Sequence, residues 1–301
     1  MKPQRILLII TVVALVAVAV YFGARGRRAD IVIGGKNFAE QTIIGEMAAL
    51  LIEAKTDLTV GRKFDLAPNL PIQLIRKKNP EIDLFLDYTG TGYVDILQNE
   101  YRGQTPEEIY QHVKRAYPKQ FGLEWLSPLG FKNTYTMTMR RDRAEQLGID
   151  KISDLIAHKG ALKAAFDPSF LDRNDGYPGL CKAYGFKFDH TPGQLAIGMM
   201  YAQCRDGQVD VIDAFSTDGR IERFDLKVLD DDKKFFPPYD AAFVVRAETL
   251  RKYPKAREAL ELLAGKLDNK TMGRLNYAVD EEHRSERDVA KEFLKSQDLI
   301  P

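Results

Sequence analysis

The chain has 301 residues, of which 45% are apolar and 29% are charged, and its formal net charge is +1. This length and composition are typical of a folded globular protein with room for two lobes or one large domain. The nearly balanced charge shows neither the basic excess of a nucleic-acid-binding protein nor an acidic tail, so no nucleic-acid partner is expected.

The first predicted element does not belong to a globular domain. Lys2 and Arg5 precede a stretch without charge at residues 6–22. A basic start followed by an apolar core is typical of a secretory signal, and residues 17–19 (Ala-Val-Ala) offer a cleavage site. The stretch is also at the lower limit for spanning a bilayer, so residues 1–29 are predicted to be either a signal peptide or an uncleaved inner-membrane anchor. Both outcomes place the rest of the chain in the periplasm or another extracytoplasmic space.

Short apolar runs then alternate with helical patterns through the first half of the chain. The predicted elements are a strand at 31–33, helices at about 38–55 and 70–78, a strand at 82–88, and helices from about 92 and 105. Asn37 stands where an N-cap belongs, with Glu40 three residues later as in a capping box. Thr105 followed by Pro106 is a second clear helix start.

The same alternation continues in the second half. The predicted elements are a strand at 161–166, a helix at 176–185, a helix from Thr191-Pro192 to about 205, strands at 209–215 and 242–246, and a helical last 55 residues. Strands that alternate with helices predict an α/β fold with a mostly parallel sheet and crossover helices.

The two cysteines, Cys181 and Cys204, lie in adjacent predicted helices. An even number of cysteines in an exported protein is consistent with one disulfide, and this adjacency favours a bridge between them. The alternative is two buried thiols.

The sequence lacks the usual signatures of enzyme, metal and nucleotide sites. Its four histidines are scattered without ligand spacing, and no G-x-S-x-G or H-E-x-x-H motif is present. The glycine-threonine loop DYTGTG at 87–92 has no lysine with which to hold phosphate. These features favour a binding protein over an enzyme, with no metal or cofactor.

Six polar or aromatic motifs fall at the predicted junctions between elements. They are GKNFAEQ (35–41), DYTGTG (87–92), FKNTY (131–135), DRNDG (172–176), DAFSTDG (213–219) and FPPYD (236–240). In a parallel sheet, ligands bind outside the carboxyl ends of the strands. The motifs supply four aromatic residues and two cations there: Tyr88, Tyr135, Phe215, Tyr239, Lys36 and Arg173.

Taken together, these motifs resemble those of the ABC-transporter substrate-binding proteins for quaternary ammonium compounds, the receptors for glycine betaine, carnitine and choline. The resemblance covers about residues 31–300. It implies the two-lobed periplasmic-binding-protein fold of type II, in which ligand is held in a cleft between lobes joined by a two-crossing hinge. It also implies delivery of the ligand to a membrane permease driven by a cytoplasmic ATPase. The protein is expected to be a monomer. The lobes are expected at 30–135 plus 239–301 and at 136–238.

The resemblance also assigns roles to residues. It places the aromatic cage on Tyr88, Tyr135, Phe215 and Tyr239, and the carboxylate clamp on Lys36, Thr91 and Arg173. A quaternary ammonium cannot donate a hydrogen bond, but aromatic faces attract it, each by about 0.5–2 kcal/mol. A guanidinium can hold the carboxylate of a betaine with two parallel bonds, and free N–H groups near Asn37 would face the same anion. Related receptors often have tyrosine where this chain has Phe215, so a ring face is kept and a hydroxyl is lost.

Several alternatives remain open. The expected ligand is glycine betaine, but choline, carnitine or a histidine-type betaine such as ergothioneine would suit the same cage. A secreted sensory domain or enzyme on the same fold is an alternative of a different class, since a fold does not fix a function. At the level of residues, the tyrosines could simply pack, Lys36 could be a surface charge, and Arg173 could pair with Asp172 or Asp175.

Overall fold

The computed structural model describes residues 29–301. The strands are β1 (Ile31–Lys36), β2 (Val60–Leu66), β3 (Leu84–Tyr88), β4 (Leu123–Trp125), β5 (Tyr135–Arg140), β6 (Ala164–Phe166), β7 (Gly193–Gln194), β8 (Val211–Phe215), β9 (Leu226–Val228) and β10 (Ala241–Arg246). The α-helices are α1 (Ala39–Lys55), α2 (Leu70–Ile75), α3 (Pro106–Phe121), α4 (Arg141–Leu147), α5 (Pro168–Asp172), α6 (Tyr177–Tyr184), α7 (Ile197–Arg205), α8 (Arg220–Arg223), α9 (Ala247–Lys252), α10 (Pro254–Glu261), α11 (Asn269–Asp280) and α12 (Glu286–Ser296). A π-helical turn at Thr91–Ile96 and a 3₁₀ segment at Ile152–His158 complete the elements.

The predicted signal or anchor at residues 6–22 lies outside the described residues and stays a prediction. Within residues 29–301, no helix has the length and apolar character needed to span a bilayer.

The strands form two five-stranded sheets, in the orders β2-β1-β3-β10-β4 and β7-β6-β8-β5-β9. We call the first sheet and its helices the first lobe, and the second sheet and its helices the second lobe. The two-lobed α/β fold expected from the sequence is therefore confirmed.

Both sheets are mixed, with four strands that run in one direction and one reversed strand in each, so the predicted mostly parallel arrangement is found apart from β10 and β5. In the first lobe β1 is parallel to β2 and β3, but β10 runs antiparallel to β3 and β4. In the second lobe β6 is parallel to its neighbours, but β5 runs antiparallel to β8 and β9. The reversed strands are β5 and β10, and each of them follows a crossing from the other lobe. Neither is joined to its neighbouring strands by the crossover helix that parallel strands require.

The chain crosses between the lobes twice, from β4 to β5 and from β9 to β10. The two crossings hydrogen-bond to each other: the Asn133 N–H donates to the Tyr239 carbonyl at 3.1 Å, and the Ala241 N–H donates to the Phe131 carbonyl at 3.1 Å. The crossings therefore form a short antiparallel ribbon between the lobes. The predicted lobe limits fall at this ribbon and stay a prediction.

Helix α1 is the central helix of the first lobe. Its residues are buried almost continuously from Glu40 to Ile52, and it packs against α10, α11, α12 and strands β1 and β2. A helix that is mostly apolar around its circumference needs such enclosure, because it has no broad polar face to turn toward water. This packing places the N-terminus of α1 beside the end of β3.

The two predicted helix starts have different outcomes. Helix α1 begins after Phe38, not Asn37, and no side chain caps it, so the expected capping box is wrong. Its Glu40 carboxylate is hydrogen-bonded to other elements, described below. At α3 the prediction is confirmed: Thr105 and Glu108 form a reciprocal capping box.

The helix predicted from Thr191-Pro192 is also wrong in its first part. Residues 193–194 form the edge strand β7, in which Gly193 pairs in parallel with Ala165, and α7 begins only at Ile197. Pairing with the exposed edge of β6 here prevails over the local signal for a helix start.

The predicted disulfide between Cys181 and Cys204 is not formed, since both residues are buried free thiols. Cys204 packs in an apolar cluster with Met200 and Ile212, whereas Cys181 lies on α6 beside Tyr177, with which it shares a hydrogen bond. Burial raises the pKa of Cys204 to about 12, as expected for a thiol in an apolar core. The alternative of two buried thiols is the one that the structure has.

Candidate functional site

A cleft of about 540 Å³ lies between the lobes and is lined by residues of both. All eight residues named as ligand-binding from the sequence line it: Lys36, Asn37, Tyr88, Thr91, Tyr135, Arg173, Phe215 and Tyr239. The sequence motifs thus converge on one space, while the binding role of each residue stays a prediction.

The four aromatic residues predicted to form the cage reach the cleft because they lie at or next to strand ends. Tyr88 is the last residue of β3 and pairs with Ala241 on β10. Tyr135 is the first residue of β5 and pairs with Phe215, the last residue of β8. A side chain at the end of a buried strand leaves the core and faces the space between the sheets.

Three of the four rings form a contiguous cluster. The Tyr135 ring centroid lies 5.2 Å from that of Phe215 at an interplanar angle of 41°, and 6.1 Å from that of Tyr239 at 88°. Phe170 and Phe236, which the sequence analysis missed, support Tyr135 from the second lobe at 5.0 and 6.4 Å. The three rings therefore give the cleft a continuous apolar side with π character.

Tyr88 stands apart from this cluster beside Lys36. The Lys36 ammonium lies 5.4 Å from the Tyr88 ring centroid and 2.7 Å from the Asp87 carboxylate, and both charged groups are buried. A buried ammonium needs such a partner, since an unpaired charge is costly to remove from water. Asp87 opens the DYTGTG motif, but the motif alone does not show that its carboxylate pairs with Lys36.

Arg173 is held by two carboxylates. Its Nε and Nη2 donate to the two oxygens of Asp175 at 2.7 and 2.6 Å, and its Nη1 donates to Asp95 at 3.3 Å. The Tyr239 hydroxyl also donates to Asp175, at 2.6 Å. Of the two pairings considered from the sequence, that with Asp175 is confirmed and that with Asp172 is not found among the described contacts.

Glu40 is the most highly connected polar group beside the cleft. Its buried carboxylate accepts hydrogen bonds from the Tyr88 hydroxyl at 2.5 Å, Thr217 at 2.6 Å, Asn133 at 2.9 Å and Asn276 at 3.1 Å. Burial raises the pKa of Glu40, which these hydrogen bonds oppose. Glu40 therefore fixes the Tyr88 ring and connects the first lobe to a loop of the second lobe.

Two further carboxyl groups lie beside the rings in the second lobe. Asp167 lines the cleft, accepts from the Ser169 N–H at 2.5 Å at the start of α5, and donates its own N–H to Asp213 at 2.8 Å. Burial, with the nearby charge of Asp167, raises the pKa of Asp213 well above its usual value. Asp213 thus takes up a proton more readily than an exposed aspartate, which limits the negative charge behind the rings.

The glycines of the DYTGTG loop serve close packing. A Cβ atom at Gly90 would lie 2.7 Å from the Tyr239 ring and 2.8 Å from the Pro238 carbonyl, and one at Gly92 would lie 2.7 Å from Trp125. The loop continues into the π-helical turn, with Thr91 facing the cleft. Such turns occur frequently at functional sites. The glycines thus let the loop pack against the Tyr239 ring and Trp125 while Thr91 lines the cleft.

Two α/β lobes, a paired double crossing and a cleft lined by aromatic rings and paired cations define a substrate-binding protein of type II. The chain belongs to the family described as the substrate binding domain of ABC-type glycine betaine transport systems, whose profile matches residues 29–296. This is a family of transport binding proteins and not of enzymes.

Similar proteins carry transport functions in their names. The chain is 34% identical to the carnitine transport binding protein OpuCC of Listeria monocytogenes, over 92% of this chain and 90% of that protein. It is 37% identical to the ergothioneine transport permease/ergothioneine binding protein EgtU of Helicobacter pylori over 88% of this chain, but spans only 47% of that protein. A crystal structure of a glycine betaine/carnitine/choline ABC transporter superposes with a TM-score of 0.77 at 32% identity, covering 90% of this chain and 100% of that one.

Proposed function

We propose that this protein is the extracytoplasmic receptor of an ABC importer and captures a quaternary ammonium compound, glycine betaine first, between its lobes. The observation that carries the proposal is the convergence of Tyr135, Phe215 and Tyr239 on a cleft that also contains Lys36 and Arg173. The rings would face the methyl groups of the ammonium, and the basic side chains with Thr91 would face the carboxylate.

The energetics fit a cage that works together with a clamp. Each aromatic face contributes about 0.5–2 kcal/mol to binding a cation. Micromolar affinity requires about 8 kcal/mol net, so further interactions must add to those of the rings. Hydrogen bonds to a charged carboxylate contribute about 1.5–3 kcal/mol each, which makes Thr91, Lys36 and Arg173 the natural complement.

The partners follow from the family. A receptor of this kind delivers its ligand to a membrane permease coupled to a cytoplasmic ATPase. We propose the same for this chain, acting as a monomer that is either released outside the cytoplasm or anchored by residues 6–22. The name of the Helicobacter pylori relative, which joins a permease and a binding protein, supports this pairing.

A larger trimethylammonium ligand is the second candidate. A side cavity of about 60 Å³, lined in part by Phe38, Ile197 and Phe215, adjoins the cleft and shares these residues with it. A ligand with only one carbon between its two charges leaves this space unfilled, whereas carnitine or ergothioneine could extend into it. The names of the two relatives above favour the same candidates.

A titration of the purified protein with a small panel tests the proposal. The panel is glycine betaine, carnitine, ergothioneine, proline betaine and choline, followed by calorimetry or intrinsic fluorescence. We expect at least one of these to bind with a Kd in the micromolar range, while proline and histidine, which lack the permanent cation, do not bind. A protein that ignores the whole panel would contradict the proposal.

A further inference from the structure

Asp95 makes a contact across the cleft that the sequence motifs did not indicate. It lies on the π-helical turn of the first lobe, one turn after Thr91, and its carboxylate accepts from Arg173 of the second lobe at 3.3 Å. Thr91 and Arg173 line the cleft, whereas Asp95 lies just outside its lining. Asp95 therefore approaches Arg173 from the first-lobe side of the cleft.

The two carboxylates on Arg173 are bound very differently. Asp175 takes a two-point contact at 2.7 and 2.6 Å, lies in the same lobe and also accepts from the Tyr239 hydroxyl. Its side chain is 4% exposed, so solvent cannot replace its partners. Asp95 makes a single, longer contact, and its side chain is 29% exposed. Asp95 is thus the partner that Arg173 can exchange, and Asp175 is the one that it keeps.

The charges around the cleft make this exchange matter. Lys36 and Arg173 are together in contact with the carboxylates of Asp87, Asp175 and Asp95. Two cations against three carboxylates leave a surplus of negative charge where a betaine would place its own carboxylate. A ligand carboxylate gains a favourable environment only if one of the three moves away, whereas a ligand without a carboxylate needs no such change.

We propose that Asp95 determines specificity by competing with the carboxylate of the ligand for Arg173. The inference rests on the proposed function, since it assumes a trimethylammonium ligand in the cleft. A bound betaine displaces Asp95 from Nη1 of the guanidinium. A cation that lacks a carboxylate leaves Asp95 in place, and the contact between the lobes then persists in the complex.

The test compares two ligands in one variant. Asp95→Asn removes the competing charge and also weakens the contact between the lobes. The second effect applies to both ligands, and the first helps only the ligand with a carboxylate. The probes are glycine betaine (or whichever trimethylammonium carboxylate the wild-type protein binds best) and tetramethylammonium, measured by calorimetry or by competition. We expect the ratio of Kd for tetramethylammonium to Kd for the betaine to rise about tenfold in Asp95→Asn.

Two control variants complete the experiment. Asp95→Glu keeps the charge and should leave the ratio within about twofold of the wild-type value. Asp172→Asn removes the same charge next to Arg173 in the chain, where the described structure has no hydrogen bond to the guanidinium, and should also leave the ratio unchanged. A ratio that stays constant in Asp95→Asn, or that changes equally in Asp172→Asn, would overturn the inference. Failure of the proposed function is distinguishable, because the wild-type protein would then bind no compound of the panel.

Discussion

The contributions of the ring and of the hydroxyl of Tyr135 to ligand binding can be measured separately. The ring lies at the centre of the aromatic cluster, within 5.0 to 6.1 Å of Phe170, Phe215 and Tyr239. The hydroxyl makes no hydrogen bond in the described part of the chain, and burial raises the pKa of Tyr135 so that it stays protonated. Tyr135 is therefore the position at which the contribution of a π face can be measured without disturbing a hydrogen bond.

We expect Tyr135→Leu to weaken binding of the panel ligand about tenfold, because an aliphatic side chain has no quadrupole to attract the cation. Tyr135→Phe keeps the ring and should bind within about twofold of the wild-type protein. Calorimetry on both variants, with circular dichroism as a check of folding, makes the comparison. Equal weakening in the two variants would assign the effect to the hydroxyl and contradict a cage role.

At the scale of elements, the segment from β3 through the π-helical turn positions three kinds of group at once. It ends β3 with Asp87 and Tyr88, brings Gly90 against the Tyr239 ring, and carries Thr91 to the cleft. Because the backbone at Gly90 is in close contact with the Tyr239 ring, we expect a change at Gly90 to affect both the aromatic cluster and the stability of the fold.

We expect Gly90→Ala to lower the free energy of unfolding by about 1–3 kcal/mol and to weaken ligand binding several-fold, since its Cβ atom overlaps the Tyr239 ring. Gly193→Ala is the matched control. There the nearest atom lies at 3.5 Å from the new Cβ atom, and we expect stability within about 0.5 kcal/mol of wild type and unchanged affinity. Urea denaturation and calorimetry measure both quantities. Normal affinity in Gly90→Ala would show that the Tyr239 ring adapts freely.

At the scale of the whole molecule, the lobes touch through polar contacts as well as through the ribbon. Glu40 of the first lobe accepts from Thr217 of the second at 2.6 Å, and Asp95 accepts from Arg173 at 3.3 Å. The buried contact at Glu40 and the more exposed one at Asp95 both favour the present relative position of the lobes. A ligand that favours this arrangement can shift the population toward it only by the difference in its affinity for the two states.

A third contact between the lobes predicts a dependence on pH. Burial raises the pKa of Asp280 on α11 from 3.8 to about 6. Arg220 of α8 lies 3.7 Å away and opposes this shift, but Arg220 is bound more closely by Asp218, whose charge raises the pKa of Asp280 further. A carboxyl group whose pKa is raised on folding contributes stability below pH about 4, and this contribution is lost as the pH rises through about 6. Asp280→Asn should therefore gain in stability relative to wild type between pH 4 and pH 7.

Thermal or urea unfolding at several pH values checks this expectation. Asp206→Asn is the control, since Arg205 lowers the pKa of that exposed aspartate and its difference from wild type should stay flat above pH 4. A difference that is equally flat for Asp280→Asn would mean that Asp280 is ionised without penalty in the folded protein.

The sequence indicated the aromatic residues that line the cleft better than the acidic residues beside it. Tyr88, Tyr135 and Phe215 lie at strand ends, a position that an apolar run followed by a motif makes visible. Glu40 and Asp87 gave no such signal, because a carboxylate on a buried helix or strand looks in sequence like a surface charge. Their importance follows from partners that are distant in the chain.

Local sequence patterns likewise could not predict which strands are reversed. Alternation of strands and helices correctly indicated an α/β fold, but the reversed strands β5 and β10 follow from where the chain enters each lobe. The disulfide prediction failed for the same reason. Cys181 and Cys204 lie on helices that follow one another in the chain, but the two side chains pack in different environments.

The ribbon formed by the two crossings constrains how the lobes can move when a ligand binds. Paired strands resist sliding past one another but bend readily across their flat face, so we expect the halves of the molecule to swing about a single axis. Tyr135 and Tyr239 lie next to that axis and should hardly separate during the swing, whereas Arg173 and Asp95 move far apart. For the proposed ligand we therefore expect a fixed order of binding, in which the trimethylammonium group contacts the aromatic cluster first and the carboxylate is bound only when the lobes close.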